Sequence, residues 1–150
     1  MNVNDWITAV RDGEVFTHAL VIKGAHGSGK GVAVRLLETA FTHVHSVTVN
    51  ASYIGSHGLF NALATAVTET DLVTVDDVCH PSQIDIIKQI VSERFIRVQV
   101  RGKGEEIRTP KANLIVTTAV WSMDEPGDQR RFIVTTPIEL IASLIPFLAR

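Results

Sequence analysis

Cysteine is almost missing: Cys79 is the only one in 150 residues. No disulfide can close within the chain, which suits a reducing compartment and leaves stability to a buried core. A dominant charge is missing too. Fourteen Lys and Arg stand against sixteen Asp and Glu, a net of −2, which excludes a wholly basic DNA-coating protein while allowing a local basic patch. The longest apolar run, Leu140–Ala149, is interrupted by Ser143 and Pro146 and is too short to span a bilayer. Met1–Arg11 lacks the charged start and apolar centre of a secretory leader. Repeats, low-complexity tracts and long linkers are absent as well, so one domain is expected over residues 1–150. What is present is an ordinary globular balance, 45% apolar and 20% charged, and the expectation is a small domain inside the cell, not on a membrane.

Apolar periodicity then sets out the elements. Asn4 is placed to cap a helix over Asp5–Arg11. His18–Lys23 reads as a buried strand and Val32–Phe41 as a helix, with glycine-rich Gly24–Gly31 between them. Ser46–Asn50 alternates as a strand, Leu59–Val67 has helical spacing, and Leu72–Val75 is a strand closed by Asp76-Asp77. Ser82 caps a helix whose apolar face is Ile84, Ile87 and Val91. Phe95–Val100 and Glu105–Thr109 form a hairpin, Asn113–Thr118 and Phe132–Thr136 are strands, and Pro137 starts a last helix. Strands alternating with helices give an α/β fold, a mainly parallel sheet covered on both faces.

The glycine-rich segment reads Gly24-Ala25-His26-Gly27-Ser28-Gly29-Lys30-Gly31, with Val32 next. It fits G-x-x-x-x-G-K between a strand and a helix, the context that motif requires. Glycines let successive backbone N–H groups turn inward on a phosphate chain, and the following helix start attracts the same anion. Lys30 reaches the β- and γ-phosphates as a point charge. Gly31 stands where such loops carry a Ser or Thr hydroxyl for Mg²⁺, so binding without hydrolysis is a second expectation. The bland reading is a strand-to-helix turn with chance glycines.

Asp76-Asp77 ends a neighbouring strand, where a carboxylate can orient the water on Mg²⁺ (Asp76) and a second can act as general base (Asp77). Without the glycine loop the pair would read as a solvated turn. Thr117 and Thr118 end another strand, where a hydroxyl could sense the γ-phosphate, although threonine is also a common strand residue. Arg130-Arg131 follow a turn-rich loop and suit a phosphoryl-stabilising finger; the alternative is surface pairing with Asp124, Glu125 or Asp128. Between Arg94 and Lys111 lie six basic residues (Arg94, Arg97, Arg101, Lys103, Arg108 and Lys111) against Glu105 and Glu106. That hairpin suits a phosphate backbone, with no aromatic at its tip for base stacking; the alternative is a solvated edge with guarding charges. The six histidines show no four-ligand spacing for zinc.

The order of these parts over residues 18–136 resembles the superfamily 3 helicase core, a viral and plasmid branch of the AAA+ P-loop ATPases. The most specific stretch is Ile87–Ala119, IKQIVSERFIRVQVRGKGEEIRTPKANLIVTTA. The resemblance implies Walker A at Gly24–Lys30 and Walker B at Asp76-Asp77, and a DNA-gripping hairpin around Lys103. Arg130 or Arg131 would be the arginine finger. Ala119 stands where the family has its sensor asparagine, leaving Thr118 as the substitute. Also implied are a five-stranded sheet of order 5-1-4-3-2, ATP and Mg²⁺ as cofactors, and a homo-oligomeric ring, a hexamer, around single-stranded DNA. The setting would be viral or mobile-element replication with other replication proteins, in the cytoplasm, a host's for a virus. Two alternatives remain: a small nucleotide kinase, since the loop is similar to that of adenylate kinases, and a non-hydrolysing assembly module.

Overall fold

The structure is a computed structural model that describes residues 1–15 and 18–148; Ala149, the end of the apolar run, lies outside them. Its centre is a five-stranded sheet of β1 (Ala19–Lys23), β2 (Ser46–Asn50), β3 (Leu72–Val78), β6 (Asn113–Thr118) and β7 (Phe132–Thr135). The order is β2-β3-β6-β1-β7 and every pairing is parallel. Counting only these strands, that is the expected 5-1-4-3-2 read from the other edge. The remaining strands, β4 (Ile96–Val100) and β5 (Gly104–Arg108), make a separate antiparallel hairpin.

Two apolar layers enclose the sheet. On one face pack α1 (Val3–Arg11), α2 (Lys30–Thr39) and α6 (Pro137–Leu148), with Trp6, Leu37, Leu140 and Leu144 against Leu20, Ile22, Leu72 and Ile115. On the other pack α3 (Ser56–Glu69) and α4 (Pro81–Ser92), with Leu59, Leu63, Ile84 and Ile87 against Val21, Val73, Val75 and Val116. Burial on both sides explains why the middle of β6, Leu114–Val116, is apolar and why the strand is buried at all six residues. The hairpin joins the second layer through Ile96 and Val98, while Arg97 and Gln99 of the same strand point to solvent. Among the described residues, no helix is long and apolar enough to cross a membrane.

Several boundaries differ from the sequence expectation for identifiable reasons. Asn2, not Asn4, caps α1: its side chain accepts from the Asp5 N–H at 2.8 Å, and Asp5 accepts in return from the Asn2 N–H at 3.2 Å, a capping box. Ring Nδ1 of His80, not Ser82, caps α4, receiving the Ser82 N–H at 3.2 Å, with Pro81 at the first helical position. Helix α2 starts two residues earlier, at Lys30, because Gly29 takes a left-handed turn at φ 95° directly into it. Strand β3 does not stop before the acidic pair but runs through it to Val78, with a bulge between Val75 and Val78.

Candidate active site

The loop between β1 and α2 is closed by its own atoms. Ser28 N–H donates to the Ala25 carbonyl at 3.1 Å, and Gly24 N–H to the Thr118 carbonyl of β6 at 3.0 Å. A Cβ on Gly24 would lie 2.4 Å from Ser28 Oγ and 3.3 Å from Pro137 Cδ, so a larger residue would have to turn the Ser28 hydroxyl away. The Lys30 ammonium donates to the carbonyls of Gly24 at 2.6 Å and Ala25 at 2.9 Å. An ammonium has three protons, so one remains for an anion over the loop.

Strand parity brings the acidic pair to this loop. In β3, Leu72 packs on the α2 side and the Thr74 hydroxyl donates to Glu38 of α2 at 3.3 Å; Asp76, two residues on, continues that face. In β6, Ile115 packs on the α2 side while Leu114 and Val116 face α3 and α4, so Thr117 falls on the α2 side. Thr117 Oγ1 donates to Asp76 Oδ1 at 2.6 Å. Strict alternation would aim Asp77 the other way. Its φ of 60° within the bulge re-aims it, and it lines the cleft with its neighbour.

The result is a cleft of about 440 Å³ lined by His26, Gly27, Gly29, Lys30, Gly31, Val32, Arg35, Asp76, Asp77 and Thr117. It lies outside the carboxyl ends of parallel strands, where open α/β sheets place ligands. Of the residues expected here, Gly24, Ala25 and Ser28 build the loop behind it. Thr118, expected to serve as the sensor, does not line it: its hydroxyl donates to the Val78 carbonyl at 2.7 Å and accepts from the Val120 N–H at 3.1 Å. Thr117 takes its place in the cleft, and the two-residue parity of β6 is the signal that distinguishes them. Arg35 was not anticipated; its Nε donates to the Gly31 carbonyl, one helical turn back, at 3.4 Å.

Arg130 and Arg131 sit exposed on the short helix α5 (Asp128–Arg131) and do not line the cleft of their own chain. Neither forms an ion pair among the described residues. Asp128 pairs instead with Lys88 at 2.9 Å. At the hairpin, Arg101 and Lys103 are exposed at the tip without an ion-pair partner among the described residues. Arg97 faces Glu105 at 3.5 Å. Arg108, counted with the phosphate-tracking residues, is held at the hairpin base by Glu69 at 2.9 Å and Glu106 at 3.1 Å. Its pKa is raised by the hydrogen bonds to Glu69 and then Glu106, so its charge is already answered by carboxylates.

Solved structures with the same fold include the C-terminal region of NrS-1 at TM-score 0.60 and 17% identity, covering 91% of this chain and 33% of that one. JCV helicase with a bound small molecule matches at TM-score 0.62 and 14% identity, covering 95% of this chain and 42% of that one. NtrX from Brucella abortus, in complex with ADP, matches at TM-score 0.52 and 16% identity, covering 97% and 38%. The chain thus spans 33–42% of the length of these structures, and at such identities the likeness concerns the fold, an α/β domain with a parallel five-stranded sheet and a separate antiparallel hairpin. No curated protein matches. A family model does, over residues 22–131, from inside β1 to the end of α5, so the chain belongs to the family of unknown function DUF5906.

Proposed function

We propose that the chain is an ATP-binding and ATP-hydrolysing domain of the superfamily 3, AAA+ type, a helicase-like motor on single-stranded DNA in viral or mobile-element replication. The observation that carries this reading is the convergence of the glycine loop, Lys30, Asp76 and Asp77 in one cleft. A triphosphate lying along the loop meets backbone N–H groups, the start of α2 and the Lys30 ammonium. The donor set also fits Mg²⁺, which needs one or two carboxylates and fills its other positions with water and phosphate oxygens. Asp76 offers Oδ2 and Asp77 an exposed carboxylate, while residue 31 offers no oxygen side chain. Bound there, the ion would neutralise charge on the β- and γ-phosphate oxygens. Asp77 takes the proton of the attacking water.

Arg130 and Arg131 are outside their own cleft and exposed, which supports a role against the γ-phosphate of a neighbouring subunit in a ring, a hexamer by the family resemblance. Arg101 and Lys103 would then contact the phosphates of single-stranded DNA. A structural relative being a helicase, JCV helicase, agrees with this assignment. One observation favours a second reading. Gly31 and Val32 follow Lys30, so no side-chain hydroxyl stands there for Mg²⁺, and a non-hydrolysing, nucleotide-dependent assembly module for a replication complex is the alternative.

ATP turnover with Mg²⁺, measured with and without single-stranded DNA beside Lys30→Ala, separates them. The motor predicts DNA-stimulated turnover that Lys30→Ala lowers by at least ~100-fold, as for loss of one transition-state donor. Tight ATP binding without turnover would overturn the motor and select the assembly module.

A further inference from the structure

We infer that Thr117 is the positioning residue of the acidic pair, one hydroxyl on β6 that sets both carboxylates of β3. This rests on the reading of the cleft as a nucleotide and metal site. Across the bulge the β3–β6 register passes from Val75↔Val116 to Val78↔Thr118, so Thr117 alone lies opposite Asp76 and Asp77. The Asp77 N–H donates to Thr117 Oγ1 at 2.8 Å, and Oγ1 donates to Asp76 Oδ1 at 2.6 Å. A backbone N–H can only donate, so the hydroxyl accepts there and keeps its single proton to give to the Asp76 carboxylate.

Two consequences follow for the cleft. Asp76 is held through Oδ1, leaving Oδ2 as the oxygen available to a cation. Asp77 is pinned through its own N–H at φ 60°, the conformation that turns its side chain into the cleft; aspartate tolerates that region better than most residues. Thr117 is 1% exposed, so water does not compete for either bond. Valine would fill the same space while leaving the Asp77 N–H and Asp76 Oδ1 without this partner.

The test uses Thr117→Val and Thr117→Ser. Mn²⁺ binding to the protein complexed with a non-hydrolysable ATP analogue is followed by electron paramagnetic resonance, and analogue binding is also measured without metal. Thr117→Val should weaken Mn²⁺ binding by about 10–100-fold, the usual effect of losing a partner behind a metal ligand. Metal-free analogue affinity should stay within about twofold, and Thr117→Ser should recover wild-type Mn²⁺ affinity to within about threefold. In turnover, kcat falls while KM for ATP holds. Equal Mn²⁺ affinity in wild type and Thr117→Val overturns the proposal, as does a serine variant no better than valine. Loss of metal-free analogue binding in Thr117→Val overturns it too, by making the residue structural. A wild type that binds no analogue instead refutes the nucleotide reading on which the proposal stands.

Discussion

Lys88 and Asp128 join α4 to the short helix that carries Arg130 and Arg131. Their side chains are 11% and 3% exposed and 2.9 Å apart. Asp128 Oδ2 also accepts the Glu125 N–H at 3.1 Å, and the Lys88 ammonium lies 5.8 Å from the Trp121 ring centre. Burial pushes the Asp128 carboxyl up, but the Lys88 and Glu125 hydrogen bonds and the charges of Lys88 and Arg131 outweigh it, so the pKa is lowered. A depressed folded-state pKa means that the unfolded chain binds more protons between the two values. The pair's stabilisation is therefore complete at neutral pH and is lost as the pH falls from the ordinary aspartate value of 3.8 through the folded one. Lys88→Met should destabilise by about 3 kcal/mol at pH 7, because it strands a buried carboxylate. Its deficit against wild type should shrink on acidification, since protonation relieves the stranded charge. Urea midpoints at pH 7 and pH 4 check both, and a variant as stable as wild type would refute the account. The pair was not legible in the chain. A lysine in an amphipathic helix reads as solvent-facing, and its partner lies 40 residues away. The glycine loop was legible because its residues are contiguous and the loop bonds mainly to itself.

At the scale of elements, β4 and β5 divide into an anchored face and a free tip. Ile96 and Val98 attach the hairpin to the core, Arg108 is taken by Glu69 and Glu106, and Arg101 and Lys103 remain exposed. Arg101→Ala with Lys103→Ala should therefore weaken single-stranded DNA binding and reduce its log–log salt slope by about 1.4, roughly 0.7 for each lost phosphate contact. Arg108→Ala should change that slope less. Fluorescence anisotropy across a salt series measures both, and an unchanged slope in the double variant would remove the tip from the interface. The hairpin's existence could be read from period-two alternation and Gly102-Lys103-Gly104, but the division of its charges could not. Glu69 belongs to α3 and meets Arg108 only after the chain folds. The acidic strand was half-legible in the same way. Leu72–Val75 announces a strand by its apolar run, whereas its continuation to Val78 depends on Thr117 of another strand.

At the scale of the molecule, the sheet order puts β1 beside β6 and β6 beside β3. The glycine loop after β1 thus opens near the acidic end of β3, with β6 and its Thr117 between the two strands. Alternating strands and helices gave the α/β class. The order itself came from the family resemblance, since local periodicity does not specify which strands pair. Helices α2 and α6 on one face and α3 and α4 on the other close both sides of the sheet and leave its carboxyl end as the open edge. The central claim is that this edge holds a nucleoside triphosphate through Lys30. Calorimetric titration of ATP, with Mg²⁺, into wild type and Lys30→Ala tests it most directly. Saturable binding by wild type, weakened by at least about tenfold (~1.4 kcal/mol) in Lys30→Ala, is the predicted result. Equal affinity in the two proteins, or no saturable binding by wild type, would contradict it.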